Sequence, residues 1–182
     1  MAKKNCIIVY GSEETVPANL LAGLIGEKGE YTVALWDEKV YKDSSSKITS
    51  DQEIIFIGET KPAKDIIPSI KFEYEISGMK YGWIGNRAVI YVEKRILSKE
   101  EFEMFKTDYQ AQDDLLQKFI ESSPLLKIGL GVGAAITGPI AGVGLLGALG
   151  LSWVRGQEIR KSQFDCVIKA FFNDGLAKFM EA

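Results

Sequence analysis

Histidine is absent from this 182-residue sequence. With it go the commonest general base, the commonest metal ligand and the one side chain whose ordinary pKa lies near neutrality. No Ser-His-Asp or Cys-His site can be assembled, so neither a catalytic residue nor a metal site is expected. Cysteine is scarce too. Cys6 stands in an apolar run and Cys166 in an amphipathic stretch, without CxxC or metal-type spacing, and both read as buried thiols in a reducing cytoplasm. Charge of one sign is also lacking: 22 basic against 25 acidic residues leave a net charge of -3, which gives no field for capturing polyphosphate, and nucleic acid is not an expected partner. Only a few apolar residues precede Gly11, too few for the core of a signal peptide. The α/β domain is therefore expected in the cytoplasm.

What the chain does contain reads first as α/β. Cys6-Ile7-Ile8-Val9-Tyr10, closed by Gly11-Ser12, has the continuous apolar character of a strand buried on both faces. Thr15 can cap a following helix that tolerates Pro17 in its first turn, shows Leu20, Leu21, Leu24 and Ile25 on one side and stops at Lys28-Gly29. Tyr31 to Trp36 and Glu53 to Ile57 read as strands two and three, with the polar stretch 42–51 as a loop between them. Pro62 to Ile70 reads as a short helix, and Lys71 to Ile76 and Arg87 to Val92 as two further strands. The stretch from Ser77 to Asn86 holds three glycines and reads as the least regular part of the sheet.

Ser98 and Glu101 have capping-box spacing, and Phe102, Phe105, Tyr109, Leu116, Phe119 and Ile120 recur at helical intervals. A last amphipathic helix is expected over 158–180, with Phe164, Val167, Ile168, Phe171, Phe172, Leu176, Phe179 and Met180 on its apolar face. The expected organisation is an α/β domain over 1–97 and a helical region over 98–182. The carboxylate pairs Asp113-Asp114 and Glu100-Glu101 read as solvated faces of the first of these helices.

Between those helices, Ile128 to Val154 is 27 residues long, carries no charge and includes eight glycines. A bilayer span takes about 20 apolar residues, so length permits one. Glycine costs about 1 kcal/mol against alanine in a water-exposed helix, so close packing has to compensate. Gly129 with Gly133, and Gly138 with Gly142, have the four-residue spacing that lets helix backbones approach, and Gly147 and Gly150 extend the small-residue stripe towards Trp153. Thr137-Gly138-Pro139 is a natural break between two helices. With Lys127 at one end and Arg155, Arg160 and Lys161 at the other, both ends are expected to stay cytoplasmic, which favours a hairpin. Each arm would reach roughly 18 Å, short of the roughly 30 Å bilayer core, so such a hairpin would dip into one leaflet. The other reading is a helical hairpin packed against phenylalanine-rich neighbours in soluble protein.

The opening Ile7-Ile8-Val9-Tyr10-Gly11-Ser12-Glu13-Glu14-Thr15 and the strand Ile54-Ile55-Phe56-Ile57-Gly58 resemble the start of the flavodoxin family over roughly the first sixty residues. The resemblance implies a Rossmann-like or flavodoxin-like sheet. In that family the first loop wraps a flavin phosphate with backbone amides and hydroxyls at a helix N-terminus. Glu13 and Glu14 depart from that pattern, because their charge repels phosphate, and no cofactor is expected. For a small ligand the positions to contact it are Gly11, Ser12 and Thr15, beyond the carboxyl ends of the strands; the other role for Ser12 and Thr15 is helix capping. Trp83 and Arg87 fit either an aromatic and basic recognition loop or a hairpin turned at Gly85-Asn86.

These features lead to the expectation of a non-enzymatic, membrane-associated protein at the inner face of the cell membrane. In it an α/β sensor or docking domain controls a glycine-rich hairpin that contacts lipid or self-associates as a homo-oligomer. A soluble self-assembling protein and a small nucleotide- or flavin-binding enzyme are the alternatives.

Overall fold

The computed structural model describes residues 4–122 and 152–181. Six strands form one mixed sheet in the order β2-β1-β3-β6-β5-β4: β1 Lys4–Tyr10, β2 Tyr31–Asp37, β3 Glu53–Ile57, β4 Lys71–Ile76, β5 Met79–Ile84 and β6 Arg87–Val92. Strands β2, β1, β3 and β6 run parallel, and β4-β5-β6 is an antiparallel meander. The fold is α/β, as expected. The stretch 77–86 is more regular than its glycines suggested. It holds the whole of β5, with Ser77-Gly78 and Gly85-Asn86 turning the chain at either end, and Gly78 and Gly85 take the positive φ those turns require.

Helices cover both faces, and this is why the central strands are apolar throughout. On one face lie α1 Thr15–Lys28, α4 Lys99–Ser122, and α5 Ser152–Ala170, which continues through a π turn over Phe171–Gly175 into α6 Leu176–Glu181. Cys6 and Ile8 of β1, Ile55 and Ile57 of β3 and Ile90 of β6 join Leu21, Phe105, Val167 and Phe171 in this core. The opposite face is thinner. Ile7, Val9, Phe56 and Val89 pack there with Ala63 of α3 Lys61–Ile66 and with Tyr41 of α2 Glu38–Ser44. Helix α2 and a 3-10 turn over Ser45–Lys47 replace much of the loop expected over 42–51. The Asp37 carboxylate accepts from the Val40 N–H at 2.8 Å, and this cap starts a helix that the polar composition had concealed.

The expected capping box forms: Glu101 N–H donates to Ser98 Oγ at 3.1 Å and Ser98 N–H to Glu101 Oε1 at 3.2 Å. Helix α1 stops at Gly29, whose φ is +75°, also as expected. Cys6 and Cys166 are buried free thiols, and burial pushes Cys6 up to about 12. The side chains of Phe119, Ile120 and Trp153, and the whole of Gly129, Gly133, Gly138, Pro139, Gly142, Gly147 and Gly150 with the expected hairpin, lie outside the described residues.

Helices α4 and α5 meet through charge as well as apolar surface. Lys169 has no exposure, and its Nζ lies 2.6 Å from Asp165 and 3.2 Å from Asp113. Tyr109 donates to Asp165 at 2.7 Å, and the ammonium sits 4.9 Å from the centre of the Tyr109 ring. Asp113 is thus no solvated helix face: it is 4% exposed and faces a buried cation. Burial pushes the Asp165 carboxyl above the usual range even though Lys169 draws it down. The cluster also fixes direction. Asp108 meets Cys166, Tyr109 meets Asp165, Gln112 meets Asn173 and Asp113 meets Lys169, so residue numbers rise together and the helices are parallel.

Both helices run from the carboxyl edge of the parallel strands, where Arg160 binds the Val92 carbonyl at 2.9 Å, to the amino edge, where Lys4 reaches the Met180 carbonyl at 3.4 Å. Along this common axis the end of α4 and the start of α5 stand about 40 Å apart, at 1.5 Å per residue. Lys169→Ala leaves two aspartates facing each other without a cation and is expected to cost about 3–5 kcal/mol in urea unfolding. The combined change Asp113→Asn, Asp165→Asn and Lys169→Met should recover most of that loss.

Candidate functional site

The parallel strands end in a crevice between β1 and β3, where the connections leaving these two strands, α1 and α3, go to opposite faces of the sheet. Open α/β sheets place ligands at such a point. The loop after β1 turns back on itself, Glu14 N–H donating to the Gly11 carbonyl at 3.0 Å, and delivers Glu14 to the first position before α1. Glu14, not Thr15, is the helix N-cap, and its side chain makes no capping hydrogen bond. The carboxyl folds inward over the strand ends instead. A Cβ on Gly11 would stand 2.5 Å from Glu14 Oε2, and one on Gly58, which follows β3 with φ +88°, would stand 2.6 Å from Glu14 Cδ. Two glycines from neighbouring strands therefore make the space that this side chain fills.

Glu14 is 8% exposed, and its carboxyl has no hydrogen-bond donor among the described residues. Burial pushes its pKa above the usual carboxylate range; Glu13 adds to this, and Arg160 and Lys94 offset it in part. The cavity around it has a volume of about 250 Å³ and is lined by both signs of charge. Glu13, Glu14, Glu38 and Glu59 come from the ends of the first three strands. Lys64 comes from α3, Lys94 from just after β6 and Arg160 from α5. Gly11, Ser12 and Thr60 complete the wall. Thr60 also caps α3, accepting from the Ala63 N–H at 3.3 Å. The Arg160 guanidinium is held by the Val92 carbonyl and lies 5.2 Å from the Phe164 ring. Among the described residues no group of three or more acidic or thiol side chains stands close enough to hold a metal ion.

Of the residues singled out in the sequence, Gly11 and Ser12 line this cavity. Thr15 is the exposed first residue of α1, outside the lining. Trp83 and Arg87 lie at the far end of the sheet: Trp83 stacks on Tyr81 at 6.3 Å and tilts against Phe179 at 5.8 Å, while Arg87 opens β6 and reaches the Tyr41 hydroxyl at 3.5 Å. Both lie on the β5-β6 hairpin, outside the lining of the crevice. Sequence reading passed over Glu38, Lys94 and Arg160, which meet only because three distant segments end at the same edge; the glycine directly after β3 was the one local signal.

No protein-family model, curated protein or solved structure shows a significant match to the chain.

Because the folded protein holds the Glu14 proton more tightly than the unfolded chain does, ionisation of this group lowers stability as pH rises from below its unfolded pKa towards neutrality. Glu14→Gln removes that cost. The variant is expected to melt roughly 2–4 °C above wild type at pH 7, and the gap should close as pH falls to about 4. A gap that widens on acidification would reverse the assignment.

Proposed function

We propose that the protein is membrane-associated and non-enzymatic, with the α/β unit acting as a docking or sensor domain for the apolar segment 128–154. The observation that carries this reading is the segment itself: 27 uncharged residues with eight glycines, a composition suited to close helix contact in lipid or in an assembly and poorly suited to exposure in water. The strand order β2-β1-β3-β6 supports a flavodoxin-like description of the sheet, extended by the β4-β5 meander. Among the described residues no helix is long and apolar enough to cross a membrane, so the proposal rests on 128–154.

The parallel packing of α4 and α5 bears on how insertion would proceed. With the two helices joined, the segment has to link points about 40 Å apart. A hairpin entering from one side calls for its two ends to approach, and hence for the helices to part at the Lys169 cluster.

Flotation with liposomes of mixed neutral and anionic lipid tests the reading. The comparison is the full chain against a version in which 128–154 is replaced by a Gly-Ser stretch of equal length, a spacer with a root-mean-square span of roughly 30 Å. The full chain is expected in the floating fraction and the replaced version in the pellet fraction. Equal recovery of both below the lipid would rule out membrane association, and a monodisperse oligomer in detergent-free light scattering would then support self-assembly.

A further inference from the structure

The crevice between β1 and β3 contains a feature that neither helix capping nor packing explains. Glu14 is more than nine-tenths buried, faces the cavity and has no hydrogen-bond donor among the described residues. The carboxyl is largely enclosed and meets no protein donor among the described residues, and two glycines make the space it occupies. The missing partner is a donor. Glu38 shows what kind: its carboxylate lines the same cavity, with Oε1 no more than about 6 Å from Glu14 Oε2, so two acceptors face one part of the crevice. An ammonium, with three donors and no acceptor, suits such a pair.

The other side of the cavity has the opposite character. Lys94 and Arg160 stand near enough to Glu14 to act on its charge, and Arg160 is pre-oriented by the Val92 carbonyl and the Phe164 ring. A guanidinium held in this way is suited to receive a carboxylate in two-point contact. An anion alone would meet four glutamates, and a simple cation would meet three basic side chains. The volume, about 250 Å³, equals about eight waters at liquid density and suits a small ligand.

We propose that this crevice binds a small zwitterion of the α-amino acid class, with its ammonium on the carboxylates of Glu14 and Glu38 and its carboxylate on Lys94 and Arg160. Binding of this kind gives the Glu14 carboxyl the donors that the described residues do not supply. It does not depend on membrane association, and its test does not involve lipid.

The experiment is thermal unfolding and titration calorimetry of the full chain in mild detergent, with glycine, alanine, serine, aspartate and lysine as separate probes. N-acetylated and carboxamide forms of each, and inorganic phosphate, are the controls. At least one amino acid is expected to raise the melting temperature by roughly 2–4 °C. N-acetylation, which removes the ammonium, should abolish the effect. Glu14→Gln should weaken binding at least tenfold while still unfolding cooperatively. Lys94→Gln should weaken the amino acid several-fold and leave the weaker binding of its carboxamide unchanged, an arm that stays informative even if Glu14→Gln misfolds. The proposal is overturned if no amino acid shifts unfolding, if the N-acetyl form binds as tightly as the free one, or if phosphate alone binds and does so equally to Glu14→Gln.

Discussion

Lys169 is a cation with no contact with water, placed between two buried aspartates on the face of the sheet that carries most of the core. Removing such a charge from water costs several kcal/mol, which only close opposite charges and hydrogen bonds can offset. The same residues packed in another register would leave the ammonium or an aspartate alone in an apolar interior. The cluster therefore selects one alignment of α4 against α5, and apolar contacts such as Phe105 and Val167 follow from it. Hydrophobic surface is indifferent to direction; a buried ion cluster is not.

That alignment sets the position of the crevice and of the helix ends on either side of the apolar segment. Because α5 starts beyond the carboxyl edge of the sheet, it brings Arg160 over the crevice formed by the loops after β1 and β3. Because α4 and α5 run the same way, the ends that flank 128–154 belong to opposite edges of the sheet. The buried cluster thus lies between a polar cavity at one edge and an apolar segment attached at both, and a change in helix packing would be felt at each.

Much of the fold was legible from residues. The apolar runs of β1 and β3 announced strands covered on both faces, Gly29 and the Ser98–Glu101 box marked helix ends, and the eight apolar positions from Phe164 to Met180 foretold the buried face of α5 and α6. The failures share a cause. Asp113 looked like a solvated residue because its partner lies 56 positions away, and no local pattern reveals a buried counter-ion. Thr15 looked like a cap, yet the tight turn from Gly11 gave that position to Glu14 and sent its side chain into the crevice. Trp83 and Arg87 fitted either a recognition loop or a hairpin, and the glycines beside them do turn a hairpin between β5 and β6. Gly11 and Ser12, named from the end of β1, line the cavity; Glu38, Lys94 and Arg160 were not named, because the sheet order that unites them is a property of the whole chain.

The central claim is that buried charge holds α4 and α5 parallel. A spin–spin distance between labels placed at positions 118 and 161 tests it directly. The parallel register separates these positions by about 20 Å along the helix axis, and a single narrow distribution at or somewhat above that distance is expected. Labels in near contact, as an antiparallel pair would give, would contradict the account.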